Sequence, residues 1–150
     1  MTTTHAAQFT NATDAREAIL AGNATITLVS QKTNARYTYR IRKAKDDRGR
    51  GPAWFVSLLT GPSNESDFTY IGMVGSDRAF RITQASRIPA DTAPLVGFNW
   101  ALTQIVTRDA IPATLEIWHE GRCCKCGRKL TVPASIASGI GPECARRMAA

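Results

Sequence analysis

The chain has 150 residues, of which 43% are hydrophobic, and a formal net charge of +7 at pH 7. This composition suits one packed domain and excludes a chain that is disordered throughout. The sequence has neither an apolar leader nor an apolar run near the roughly 20 residues of a membrane span, so we expect a cytoplasmic protein without a membrane partner.

The first predicted elements are a short helix and a hairpin. A capping box that begins at Asp14, with Gly22 as the stop signal, predicts a helix over residues 15–21. Apolar and polar residues then alternate over residues 24–30 and again over residues 36–42, as in half-buried strands. A short turn between these two runs makes them a β-hairpin.

The second strand of this hairpin has two different faces. Arg36, Arg40 and Arg42 share one face, and Tyr37 and Tyr39 lie on the other. Because arginines are not buried unless they are paired, we expect their face to contact solvent or a ligand.

Three more strands and the main helix follow. Residues 54–60 are apolar on both faces, which is typical of a central, well-covered strand, and residues 67–73 and 79–83 follow after short turns. Residues 93–108 carry an apolar stripe at helical spacing. Leu115 and Ile117 indicate a last strand.

These elements predict an α+β fold in which an antiparallel sheet of four or five strands is packed by one main helix. We place this body in residues 1–118 and expect it to fold largely by itself. Residues 119–150 hold all four cysteines and form a separate metal-binding segment in this prediction.

The cysteines are spaced for a zinc site. Cys123 and Cys126 form a C-x-x-C pair, and Cys144 follows a proline that can open a helix. The fourth ligand of a tetrahedral site is then His119 or Cys124. We favour His119, because adjacent side chains such as Cys123 and Cys124 tend to diverge.

Other uses of four cysteines fit less well. Disulfide frameworks are typical of small secreted chains, and a redox C-x-x-C pair usually accompanies a βαβ pattern. Position 147, where a treble-clef finger often has its last ligand, is Arg147. We therefore expect one structural Zn²⁺ in a variant of that finger, closed by four protein ligands.

The string from Cys123 to Cys144, C-x-x-C-G-R-K-L-T-V-P-x-S-I-x-x-G-I-G-P-E-C, resembles a domain of unknown function at the C-termini of phage and plasmid proteins, many from actinobacteria. Residues 37–42, 54–61 and 67–72 resemble the region that accompanies it in short phage proteins. The resemblance implies a metal-binding, phage-type protein and supplies no activity.

The positive charge is concentrated in two stretches. Residues 36–50 carry +5 and residues 119–150 carry +4, whereas the remainder is slightly negative. Clustering of this kind indicates a polyanionic partner, DNA or RNA. The predicted phosphate contacts are Arg36, Arg40, Arg42, Lys43, Lys45, Arg48, Arg50, Arg122, Lys125, Arg128, Lys129, Arg146 and Arg147.

The sequence offers little for catalysis. The two histidines are His5, near the start, and His119, which is assigned to the metal. A deaminase-type zinc site would need a His-x-Glu pair, whereas Glu120 directly follows His119. We expect a protein that is not an enzyme.

Two functions remain in competition. The first is nucleic-acid binding on an antiparallel sheet, where aromatic rings stack on bases and basic side chains contact phosphates. The second is a phage effector that binds a host protein complex such as an immune nuclease. The candidate stacking rings are Tyr37, Tyr39, Trp54, Phe68 and Tyr70, and the two tyrosines on the second strand face away from its arginines.

Overall fold

The computed structural model describes residues 7–45, 49, 51–63 and 66–149. The α+β class is confirmed. In chain order the elements are α1 (Ala12–Ile19), β1 (Asn23–Ser30), β2 (Arg36–Lys43), β3 (Trp54–Leu59), β4 (Phe68–Val74), β5 (Phe80–Arg81), α2 (Ala93–Val106), β6 (Leu115–His119), α3 (Pro133–Ser138) and α4 (Pro142–Ala149).

The described strands form one antiparallel sheet of six, in the order β5-β4-β3-β2-β1-β6. The predicted meander is present from β1 to β5. The sequence predicted four or five strands in the sheet, whereas the described sheet has six. The last strand that Leu115 and Ile117 indicated is β6, an edge strand beside β1, with Ile26 opposite His119 and Ser30 opposite Leu115. The chain reaches this edge because α2 carries it back across the sheet from β5.

One face of the sheet, called here the inner face, packs against α1 and α2. The buried positions of α2 include Leu95, Phe98 and Leu102, which confirms the predicted stripe. The ring of Tyr39 lies 4.9 Å from that of Phe98, and its hydroxyl donates a 2.6 Å hydrogen bond to the carbonyl of Pro94. Among the described residues no helix combines the length and apolar character that a bilayer crossing requires.

The other face, called here the outer face, is more exposed to solvent. Arg36 and Arg42 of β2 are exposed and Arg40 is half-buried, as the alternation predicted. The prediction that residues 54–60 are covered on both faces is wrong, because Phe55 is 47% exposed on this side of β3. An apolar run indicates a central strand, but it does not show whether other elements cover both faces of that strand.

Helix α1 begins earlier than predicted. Asn11 is its N-cap, and its side-chain oxygen accepts a 2.8 Å hydrogen bond from the backbone N–H of Asp14. Asp14 therefore lies in the first turn, where its negative charge favours the helix N-terminus. The cap predicted at Asp14 is therefore three residues too late, and the added first turn buries Ala12 in the core, as Ala15 is buried one turn on.

The C-terminal segment, residues 119–149 as described, shares the core of the body. Cys123, Leu130 and Ile140 belong to the same buried cluster as the sheet and α2. Gly139 has a φ of 76°, and a Cβ there would lie 2.9 Å from the ring of Phe9. The predicted boundary at residue 118 therefore separates the cysteine-containing segment from the rest of the sequence. It does not separate two cores, because buried residues from both sides pack in one cluster.

Candidate metal centre and basic surface

The C-x-x-C turn is held by backbone hydrogen bonds. The Cys123 N–H donates to the carbonyl of Arg128, and the Gly127 N–H donates to the carbonyl of Cys123, both at 2.8 Å. Gly127 adopts a φ of 83°, a conformation that glycine takes without steric cost. The turn therefore presents Cys123 and Cys126 on the same side.

Cys144 completes a group of three sulfurs. It lies in the first turn of α4, as the proline at position 142 predicted. The Sγ atoms of Cys123, Cys126 and Cys144 all lie within 4.8 Å of one another, and we call these three residues the cysteine group. Sulfurs around a tetrahedral zinc ion are about 3.8 Å apart, so metal binding needs shifts of about 1 Å or less.

Backbone N–H groups favour a negative charge on Cys123. Gly141 and Lys125 donate to its Sγ at 3.3 and 3.4 Å. Although burial raises its pKa, the backbone N–H groups of Gly141, Cys126 and Lys125 outweigh burial and lower the pKa to about 7. This sulfur is prepared to act as a thiolate, the form that binds metal.

The second buried thiol of the group behaves differently. Burial raises the pKa of Cys144 to about 11, and hydrogen bonds with the thiols of Cys126 and Cys123 act in the same direction. Cys144 therefore retains its proton at neutral pH. A divalent ion must displace this proton on binding, so metal affinity depends on pH.

The structure does not bring His119, the predicted fourth ligand, into the cysteine group. Its Nδ1 accepts a 2.9 Å hydrogen bond from the Gly121 N–H, and its Nε2 lies 2.5 Å from the carbonyl oxygen of Ile136. Both ring nitrogens are thus occupied, and burial lowers the pKa of the imidazole. His119 packs edge-on against Phe9, with 5.3 Å between ring centroids, and serves the core instead.

The alternative fourth ligand, Cys124, is also outside the group. Its thiol is buried in the apolar core, and burial raises its pKa to about 12. Its backbone N–H donates to the Gly139 carbonyl and its carbonyl accepts from the Asn23 N–H. As expected from the sequence, the adjacent side chains of Cys123 and Cys124 diverge, so Cys124 does not join the cysteine group.

Three converging thiols suit a thiophilic ion. Zinc and copper(I) prefer sulfur ligands, whereas magnesium and calcium require oxygen. The cysteine group is therefore able to hold a soft metal ion, and its backbone N–H···S bonds stabilise the thiolate that such an ion needs.

The basic side chains of the sheet are placed on the outer face or at its end. Arg36, Arg40 and Arg42 alternate along the outer side of β2, and Lys43 and Lys45 continue from its end. Burial and the neighbouring Arg42 both lower the pKa of Arg40, without removing its charge at neutral pH. The predicted contacts Arg48 and Arg50 lie outside the described residues.

The two basic stretches, which are far apart in the sequence, meet in the fold. A Cβ on Gly22 would lie 3.8 Å from both the Nζ of Lys125 and the Cβ of Lys43. Gly22 also accepts the Lys43 N–H, which fixes the end of β2 beside the C-x-x-C turn. Lys125 therefore extends the positive charge of the sheet onto the C-terminal segment.

The other basic residues of the C-terminal segment lie around the cysteine group. Arg128, Lys129 and Arg147 line a cavity beside Cys126 and Cys144. Arg122 is exposed and its guanidinium donates to the carbonyl of Gly127, and Arg146 pairs with Glu143 at 3.5 Å. These side chains form a second positive area around the cysteine group.

The aromatic candidates separate into two groups. Tyr39 and Trp54 are buried on the inner face, so they are not available for stacking. Phe68 and Tyr70 share the outer face with the arginines. Tyr70 lies opposite Ser57 of β3, which in turn lies opposite Arg40 of β2. Phe68 lies opposite Leu59, two residues further along β3 and therefore on the same face. Tyr37 is half-buried on the inner face.

Sequence reasoning missed Phe55 as a ring of the outer face. Its ring lies 6.3 Å from that of Tyr70, edge to face, and it pairs with Arg42 across β2 and β3. Strict alternation from the buried Trp54 could have assigned it to this face. Because the residues around Phe55 in β3 are also mostly apolar, the alternation between the two faces was not visible in the sequence.

The comparisons with known proteins concern the C-terminal part. No curated protein and no solved structure matches the chain. Residues 113–149 match the model of DUF6011, a family of unknown function, and this stretch includes β6, the cysteine group and α4. The chain is thus similar to an uncharacterised family across its candidate metal centre.

Proposed function

We propose that this protein is a zinc-stabilised, non-catalytic nucleic-acid-binding protein that holds a single strand on the outer face of its sheet. The observation that carries the proposal is the common placement of Phe55, Phe68 and Tyr70 with Arg40 and Arg42. Aromatic rings beside basic side chains are the elements with which sheet surfaces hold unpaired bases and their phosphates. Here Phe55 is exposed, and Phe68 and Tyr70 are half-buried.

The arrangement of Arg40 supports this function. Its guanidinium carbon lies 3.9 Å from the centroid of the Phe68 ring. A cation over a ring is held in place without losing its charge, and the planar group can still donate hydrogen bonds from its edge. Exposed Arg36 and Arg42 on the same strand supply further charge along the path of a backbone.

The cysteine group would take a structural role in this proposal. Zinc on three thiolates would hold α4 to the C-x-x-C turn and so position Lys125 beside Lys43. Two basic areas that are each modest would then act on one strand. Binding of metal would contribute to the folding of the segment, as in other small zinc sites.

The experiment is a salt titration. Fluorescence anisotropy of labelled single-stranded and duplex oligonucleotides would be measured with the zinc-loaded protein at several salt concentrations. For a single strand the logarithm of the binding constant falls with the logarithm of salt by about 0.7 per phosphate contacted. Arg36→Ala with Arg42→Ala should reduce this slope by about 1.4.

The matched control removes the same charge elsewhere. Lys32→Ala with Arg108→Ala acts on side chains that line cavities on the inner side of the sheet, and this pair should leave the slope nearly unchanged. If wild type binds no oligonucleotide at low salt, the proposal fails. The second candidate, an effector that binds a host protein complex, would then be favoured by the exposed Val96 and Trp100 of α2.

A further inference from the structure

The cysteine group supplies three donors, whereas a tetrahedral metal site needs four. Both nitrogens of His119 are engaged with backbone groups, and the thiol of Cys124 lies in the apolar core. Within the described part of the chain, no further His, Cys, Asp or Glu side chain joins these three sulfurs. The missing donor must therefore come from outside the three-cysteine arrangement.

The group has an open side. Cys126 and Cys144 line a cavity of about 330 Å³, together with Gly141, Pro142 and the irregular stretch 128–132. Cys123 does not line the cavity. It is buried, and Gly141 and Lys125 donate to its sulfur. A metal ion on the three sulfurs would thus face this cavity with its free position.

The charge of the cavity selects the kind of ligand. Arg128, Lys129 and Arg147 line it, and among the residues that the structure describes Glu143 is its only acidic lining residue. The negative charge of Glu143 is already paired, because its carboxylate lies 3.7 Å from the guanidinium of Arg147. A divalent ion on three thiolates itself carries a net charge of −1. One positive charge therefore remains in excess around the free position, and it favours an anion over a neutral donor.

We propose that a metal ion bound to the cysteine group keeps its fourth coordination position open to this cavity, and that it takes there a small anionic ligand from solution. The inference rests on the metal binding proposed above. It changes the character of the site: three protein ligands with one exchangeable position are typical of open sites, and four protein ligands of closed structural ones. The expected ligand is monodentate and no larger than the cavity.

The test uses cobalt, whose visible spectrum reports its ligands. Untagged protein would be loaded with Co²⁺ in place of zinc and titrated separately with azide and with imidazole. Both probes bind through one nitrogen, but only azide is charged. We expect saturable changes in the visible bands with azide at lower concentration than with imidazole.

A charge variant isolates the cavity. Arg128→Ala with Arg147→Ala should weaken azide binding about tenfold, as for the loss of two exposed charges. The same variant should leave imidazole binding unchanged. Equal cobalt content in both proteins would show that the metal site is intact.

Two results would overturn the inference while leaving metal binding in place. One is a bound cobalt spectrum that azide does not alter. The other is a spectrum that changes in His119→Ala, Cys124→Ser or His5→Ala, which would identify a fourth protein ligand; His5 lies outside the described residues. A protein that binds no cobalt would instead contradict the metal site itself.

Discussion

The backbone N–H of Asn23 donates a 2.7 Å hydrogen bond to the carbonyl of Cys124. Asn23 is the first residue of β1, and Cys124 lies inside the C-x-x-C turn. This single backbone hydrogen bond thus joins the sheet to the candidate metal centre. Because the N–H of Cys124 also donates to Gly139, the turn is fixed from both sides.

The first prediction concerns the metal ligands. Cys123→Ser, Cys126→Ser and Cys144→Ser should each lose the metal and lower the melting temperature, because metal binding and folding of the segment are coupled. His119→Ala should retain the metal, in contrast to the expectation from sequence, because its ring nitrogens already bond to Gly121 and Ile136. Elemental analysis of each variant checks this.

The matched control is Cys124→Ser, which changes a neighbouring thiol outside the group. It should keep close to one zinc per chain, although a buried hydroxyl costs some stability. A disulfide-bonded protein without metal would contradict the whole assignment.

The second prediction concerns truncation. A fragment of residues 1–118 loses the buried side chains Leu130 and Ile140, worth about 3–6 kcal/mol together. This is a large part of the 5–15 kcal/mol that typically stabilises a domain. We expect the fragment to melt without a sharp transition, contrary to the sequence-based expectation of an independent body.

Circular dichroism with temperature decides this. The control keeps the full chain and removes only the metal with a chelator, which should lower the melting temperature but preserve a cooperative transition. A fragment that melts as sharply as the full chain would show that the segment does not complete the core.

The third prediction concerns the rings of the outer face. Phe55→Leu should weaken single-strand binding by about 1–3 kcal/mol if a base stacks on the ring. The matched control is Trp100→Leu, since Trp100 on α2 is exposed to a similar degree, 43% against 47%, but lies on the other side of the sheet. Equal effects of the two changes would argue against stacking on Phe55.

The fourth prediction concerns pH and His119. Burial lowers the pKa of its imidazole below the ordinary 6.5, so the unfolded chain takes up a proton first as pH falls. The contribution of His119 to the free energy of unfolding is therefore complete well above pH 6.5. It declines between pH 6.5 and the folded pKa, by up to about 1.4 kcal/mol per pH unit.

Urea unfolding of the metal-free protein at pH 7.5 and 5 measures this decline. The comparison is with His119→Gln, whose amide does not titrate and can still bond to backbone groups. Cys123, with a pKa near 7, is present in both proteins, so its contribution cancels in the difference. Identical pH dependence of the two proteins would contradict the prediction.

Sequence periodicity was a reliable guide to local structure. The hairpin of β1 and β2, the buried stripe of α2 and the arginine face of β2 were all predicted from spacing. The convergence of Cys123, Cys126 and Cys144 followed from a C-x-x-C pair and a proline-opened helix. Helix α3 was missed because its six residues are too few for a periodic signal.

The sequence alone determined which side chains share a strand face and which cysteines can converge, because both depend on backbone geometry over a few residues. Only the tertiary structure decided which face of the sheet the helices cover, so that Phe55 joins Arg42 on the outer face and Trp54 enters the core. It also decided that Lys43 meets Lys125 and that His119 is occupied by backbone groups. These relationships join residues distant in sequence, and they depend on the order in which strands pair and segments pack.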